Sequence, residues 1–188
     1  MGIRSVLGMV QKFVPVTFIN NSGAGVMQPR FDSDGNMVNW WTDKDAEEYT
    51  KRTNVIRDQY AAYEVEGEKV NGELTLGENI ADIGGLLIAY HAFSMRKELD
   101  GTSPNGFSET SDKVMQGDEE KFFLAWGRAW RTHMRKEAQI QRILTDPHSP
   151  AICRVNGVVK NIPAFYEVFN IKPDDPLYLA PEKRAAIW

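Results

Sequence analysis

The sequence holds a single cysteine, Cys153, so no disulfide can form within the chain and metal sites built on two or four cysteines are excluded. It has no run of about 18 apolar residues, so no segment is long and apolar enough to span a bilayer as a helix. Positive charge is in short supply. With 22 Lys and Arg against 26 Asp and Glu, the formal charge is −4, and no basic run interleaves with aromatics. That balance argues against a phosphate-binding surface, and no nucleic-acid partner is expected. Histidine is scarce as well: His91, His133 and His148 are all there are. Repeats and low-complexity tracts are absent. Arg4 followed by the apolar residues 6–10 and the small residues 22–25 has the outline of a secretory signal. Gln11, Lys12 and Pro15 interrupt it, so no signal peptide is expected. Val6 stands where a myristoylation signal needs Ser or Thr.

What is present suits a globular chain of about one domain: 188 residues, 42% apolar, 26% charged. Thr42 with Asp45 resembles a capping box, and Ala46, Tyr49, Thr53, Ile56, Tyr60 and Tyr63 then recur at helical spacing. Asn71-Gly72, between Glu68-Lys69-Val70 and Glu73-Leu74-Thr75-Leu76, predicts a hairpin with a type I′ turn. A second helix is expected from about Gly77 to about Leu99. Ile80, Ile83, Leu87 and Tyr90 form one face, and Leu86, Ile88 and Phe93 widen it until the helix reads as buried on most sides. The Gly/Ser-rich residues 100–112 read as a surface loop. A third helix begins near Asp118, with Phe122, Phe123, Trp126, Trp130 and Met134 as a stripe most simply read as core. A shorter helix follows from about Lys136 to Leu144. Asn161 is expected to cap a last one, with Pro163 in its first turn and Phe165, Tyr166 and Phe169 as anchors. The fold class is mainly α with a small β element.

Two segments carry chemistry. Glu78 and Asp82 are one helical turn apart, so both carboxylates project from one face near a helix start. A carboxylate pair on so apolar a helix is costly unless it meets a cation or a metal, although the pair alone also fits an exposed, acid-capped helix start. Asp146-Pro147-His148-Ser149-Pro150 fixes a histidine between two prolines, with Asp146 near enough to orient its ring. A histidine held this way can donate to developing negative charge. Arg154 could clamp a carbonyl or carboxylate with its planar fork. The plainer reading is a Pro-rich turn with surface charges. Asp32-Ser33-Asp34-Gly35-Asn36 resembles the start of a calcium loop, but Gly35 stands fourth rather than sixth, and turn chemistry explains it. Cys153 has no histidine base near it in sequence, so a catalytic thiol is not expected.

Taken together, Glu78-Asn79-Ile80-Ala81-Asp82, Gly84-Gly85 and Leu87-Ile88-Ala89-Tyr90 resemble the second signature of the neprilysin family of zinc endopeptidases. Asp146-Pro147-His148-Ser149-Pro150, Arg154-Val155-Asn156-Gly157, Asn161, Phe165, Phe169 and the closing Tyr178, Pro181, Glu182, Lys183, Arg184 and Trp188 resemble that family's C-terminus in order and spacing. Phe31 to Asn36 and Trp40-Trp41 resemble the segment after its first zinc motif. The resemblance covers about residues 31–188 and implies the C-terminal portion of a thermolysin-like (zincin) catalytic domain. It also implies roles. Glu78 would be the third zinc ligand, and Asp82 the aspartate that orients a zinc-bound histidine. His148 would stabilise the oxyanion, with Asp146 orienting it, and Arg154 would grip the substrate backbone. The implied cofactor is zinc, the implied partners are peptide substrates, and the implied chemistry is peptide hydrolysis by a zinc-activated water.

The family also needs His-Glu-x-x-His, and none of the three histidines here begins one. At the family's spacing those positions fall on Phe18, Ile19 and Ser22, and residues 1–30 read as a segment that does not match. A frameshift, a misplaced start or a rearrangement would give so abrupt an edge. His91 lies ~20 Å along the helix from Glu78, and His133 reads as a structural histidine of an aromatic-faced helix. The expectation is therefore a metalloendopeptidase fragment that binds zinc weakly and is inactive alone. The alternatives are a non-catalytic peptide-binding remnant and the product of a disrupted gene. Truncation is expected to expose apolar faces around Leu87 and Trp126 and to favour self-association. The single cysteine is in the style of a bacterial protein, cytoplasmic or periplasmic.

Overall fold

The structure, a computed structural model, describes residues 36, 42–100 and 111–186. The readings of residues 1–35, of Trp40-Trp41, of the loop at 101–110 and of Trp188 lie outside the described residues.

Helix α1 (Asp43–Ala61) starts where the capping box puts it. Asp45 N–H donates to Thr42 Oγ1 at 3.2 Å, and Thr42 N–H donates to the Asp45 carboxylate at 3.1 Å. Thr53, Ile56 and Tyr60, spaced three and four apart, are its buried face. Strands β1 (Glu64–Val65) and β2 (Glu68–Lys69) follow, antiparallel, with Glu64 opposite Lys69 and Val65 opposite Glu68. Among the described residues four longer helices follow: α2 (Leu76–Asp100), α3 (Ser111–Ala129), α4 (Lys136–Thr145) and α5 (Ala151–Val159). A short α6 (Pro163–Val168) and a 3₁₀ turn (Pro181–Lys183) come after them. The mainly α architecture with a small β element is as expected.

The hairpin turn is not at Asn71-Gly72. It is at Glu66-Gly67, whose φ values of 56° and 87° give the type I′ geometry. Asn71 instead starts the approach to α2, its side-chain oxygen accepting from the N–H groups of Glu73 (3.1 Å) and Leu74 (3.0 Å). Gly72 is needed for space, since a β carbon there would run into the carbonyl oxygen of Arg57 on α1.

Other boundaries also moved. Helix α3 ends at Ala129, so Met134 and His133 lie in the following coil, and His133 is exposed rather than packed in an aromatic-faced helix. Ile162, not Asn161, is the N-cap of α6. Asn161 is buried and serves as a tertiary junction. Its amide donates to Gly157 O at 2.8 Å, and its oxygen accepts from Ala185 N–H at 2.7 Å. Helix α5 was not foreseen. Ile152, Val155, Val158 and Val159 are β-branched and Gly157 is a poor helix former, so propensity pointed elsewhere. Burial overrides it: Cys153, Arg154, Gly157, Val158 and Val159 are all buried.

Helix α5 is the centre of the assembly, packing on α1, α2 and α3. Gly157 permits this, because a β carbon there would come within 2.7 Å of the Tyr60 ring. Around α5, Ile80, Ile83, Leu86 and Phe93 of α2 meet Phe122, Phe123 and Trp126 of α3 in one core. Trp126 itself is core, only 1% exposed, while Leu124 two residues before it and Ile88 beside Leu87 are exposed. Leu87 is half-buried, and the exposed large apolar side chains are others, among them Leu124, Leu144 and Ile152.

Candidate active site

Glu78 and Asp82 stand in the first two turns of α2, on the face that meets the start of α5. Asp82 is almost fully buried, and Arg154 of α5 reaches it with both edges of its fork. Nε donates to Oδ2 at 2.6 Å and Nη2 donates to Oδ1 at 2.7 Å. Burial pushes the Asp82 carboxyl above its usual pKa range, the Arg154 hydrogen bonds and charge work against that, and the nearby Glu78 charge adds to it. The charged-helix puzzle in the sequence is thus resolved by a cation 72 residues away.

Glu78 is the more open carboxylate, with a side chain 21% exposed. Its Oε2 lies 3.4 Å from His148 Nε2 and 3.9 Å from Arg154 Nη2. His148 sits in the turn between α4 and α5. Its backbone N–H donates to Asp146 Oδ1 at 2.9 Å, and its Nδ1 is 2.7 Å from the same oxygen. Partial burial opposes ionisation of Asp146. Hydrogen bonds from the His148 backbone, the His148 ring and Arg142 outweigh it and bring the pKa to about 2. An ionised carboxylate only accepts, so Nδ1 carries the proton and Nε2 is the nitrogen turned toward Glu78.

Two supports of this site were not read from the sequence as such. Arg142 lies one turn before Asp146 and reaches its Oδ2 with Nε at 3.0 Å and Nη2 at 2.9 Å, a pairing that the i,i+4 spacing could have signalled. Buried Ser149 donates to Asn79 Oδ1 at 2.8 Å, tying the histidine turn to α2, and Asn79 in turn donates to Thr75 Oγ1 at 3.0 Å. Beside these groups lies a cleft of about 420 Å³, lined by His148, Arg154 and Arg142 together with Trp130, Met134 and Ile152. All five residues singled out in the sequence therefore converge on one place, from α2, the α4–α5 turn and α5.

The sequence model of peptidase family M13 matches residues 26–185 of this chain. The chain belongs to peptidase family M13. Endothelin-converting enzyme 1 of Cavia porcellus is 36% identical over 158 residues, which are 84% of this chain and 20% of that enzyme. Among solved structures, Mycobacterium tuberculosis zinc metalloprotease Zmp1 in complex with inhibitor is 40% identical. The match has a TM-score of 0.72 and covers 85% of this chain and 24% of Zmp1. PepO from Lactobacillus rhamnosis HN001 is 31% identical with a TM-score of 0.79, covering 100% of this chain and 27% of PepO. This M13 chain spans about a fifth of the length of the curated relatives it matches.

A metal of the kind named for Zmp1 does not fit the residues described here. Among them, no three His, Cys, Asp or Glu side chains are grouped so as to hold an ion. All three histidines of the M13 chain fall within the described residues, and only His148 lies near Glu78. His91 is exposed on α2 and His133 is exposed in coil. Around Glu78 the neighbours are one histidine nitrogen and a guanidinium, and a guanidinium cannot ligate a metal. Cys153 supplies no alternative. It is buried, and burial drives its thiol up to about 12.

Proposed function

We propose that this chain carries the ligand-glutamate and substrate-facing part of an M13 metalloendopeptidase active site, and that these 188 residues alone neither hold zinc tightly nor cut peptides. The observation that carries this reading is the mutual contact of Glu78, Asp82, His148 and Arg154, residues far apart in sequence, of which His148 and Arg154 line the cleft. In this reading Glu78 is the one metal ligand retained. Asp146 holds the His148 ring so that Nε2 faces the reacting centre, where it donates to an oxyanion when the ring carries a proton on both nitrogens. Asp82 fixes Arg154, which meets the backbone of a bound peptide. The proteins named as zinc metalloprotease and endothelin-converting enzyme supply the activity class, endopeptidase chemistry on peptide substrates.

The test is hydrolysis of the insulin B chain in zinc-supplemented buffer, with Glu78→Ala as control. The expected result is no cleavage above that control. Exchange of the segment before Phe31 for a helix bearing His-Glu-x-x-His is expected to restore cleavage. Cleavage by the unmodified chain that Glu78→Ala abolishes would overturn the reading. A second reading, a peptide-binding remnant, is favoured by the partly unused fork of Arg154: its Nη1 has no hydrogen-bond partner among the described residues. Stoichiometric binding of the B chain without zinc would select it.

A further inference from the structure

The aromatic stripe of α3, read from the sequence as core, turns out to divide its labour. Trp126 is core, and its indole N–H donates to the carbonyl oxygen of Arg154 at 3.2 Å. Trp130, one turn later, is half-buried and lines the cleft. The Arg154 guanidinium carbon lies 3.8 Å from the centroid of its ring. The two indoles meet edge to face, with centroids 5.6 Å apart, so each braces the other. One arginine is therefore held in three ways: by its backbone through Trp126, in the guanidinium plane by Asp82, and across the plane by Trp130.

We propose that Trp130 is a positioning residue whose π face keeps the Arg154 fork flat against the cleft, so that Nη1 is presented in a fixed direction to an acceptor on a bound peptide. Asp82 alone cannot do this. Two in-plane hydrogen bonds to one carboxylate leave the guanidinium free to rock about the line joining them, and a stacked ring opposes that rocking. Electrostatics favours the arrangement, because the face of an indole attracts a cation most strongly where water is excluded. Arg154 is 8% exposed, which is such a place. The ring, not its nitrogen, is the working part: Trp130 Nε1 is buried with no hydrogen-bond partner. The peptide half of this inference rests on the reading of Arg154 given above. The hold of Trp130 on Arg154 does not.

The experiment reads that hold without ligand or activity. In the full ¹⁵N-labelled chain, the Arg154 Nε–H signal is assigned through its loss in Arg154→Lys, and its exchange with solvent is compared in Trp130→Phe and Trp130→Leu. The expected result is that Phe, which keeps a π face without the indole N–H, retains the protection and the ring-current shift. Leu, apolar without a π face, should lose about tenfold in protection at a melting temperature matched to Phe. Equal protection in Leu and the unmodified chain would overturn the proposal. Should Leu fail to fold, Trp130→Met gives the same comparison. Binding of the insulin B chain by the same variants tests the other half. Failure of every variant and of the parent to bind would remove the peptide reading, while the exchange data would still decide the role of Trp130.

Discussion

Arg154 clasps Asp82 with two nitrogens at 2.6 and 2.7 Å, and the two side chains are only 10% and 2% exposed. Charges so placed have given up most of their hydration, and each depends on the other for what replaces it. Arg154→Met should therefore cost about 3–5 kcal/mol, because it strands a buried carboxylate. Asp82→Leu combined with Arg154→Met should recover most of that, since two apolar side chains leave nothing unpaired. Urea denaturation of the two single variants and the double variant checks this as a cycle. A double variant as unstable as the sum of the singles would show that the pair is not the unit.

The Asp146 carboxyl gives a pH dependence of known sign. Its folded pKa of about 2 lies below an unfolded value of about 3.9. The stability it contributes is thus fully present above the unfolded value and is lost as pH falls through the folded one. Denaturation midpoints measured from pH 5 down to pH 2 should show the gap between the parent and Asp146→Asn narrowing steadily. A gap that widens on acidification would contradict the bonding described for the His148 turn.

Gly157 and Tyr60 test the close approach of α5 to α1. Gly157→Ala should destabilise by about 1–3 kcal/mol, because the new methyl meets a ring that has nowhere to go. Tyr60→Phe should be neutral or slightly stabilising, since the buried hydroxyl has no hydrogen-bond partner and its removal leaves no other group unpaired. Thermal melts of both variants decide it.

Much of this was legible in the sequence, and for identifiable reasons. The capping box at Thr42 and Asp45 is local chemistry, so it could be read where it stands. Glu78, Asp82, Asp146, His148 and Arg154 stand out as carboxylates on an apolar helix, a histidine between prolines and a nearby arginine, but those patterns alone also fit an acid-capped helix start and a surface turn, and it is the family resemblance that implies their roles. That Arg154 partners Asp82 was not legible, because the pairing is made by the fold across 72 residues. Helix α5 was missed because its valines and Gly157 speak against a helix, while the packing that overrides them is tertiary. The hairpin was misplaced by one turn signal. Asn71-Gly72 is the stronger dipeptide, but Glu66-Gly67 stands between the residues that pair.

Cys153 offers a clean probe of integrity. Its thiol is buried and held near 12, so iodoacetamide at pH 8 should not modify the folded chain within an hour and should modify it fully in 6 M guanidinium. Rapid labelling without denaturant would show that α5 opens away from the core.

On the proposed reading Glu78 is a ligand glutamate assembled with the substrate-facing groups, while the described residues hold no complete zinc-binding set. The most direct test of that reading is equilibrium dialysis of the purified chain against zinc, a rinse with a competing chelator, and metal analysis. The predicted result is far less than one zinc per chain, with the remainder removed by the chelator and no difference between the parent and Glu78→Ala. One zinc per chain that survives the chelator and is lost in Glu78→Ala would contradict it.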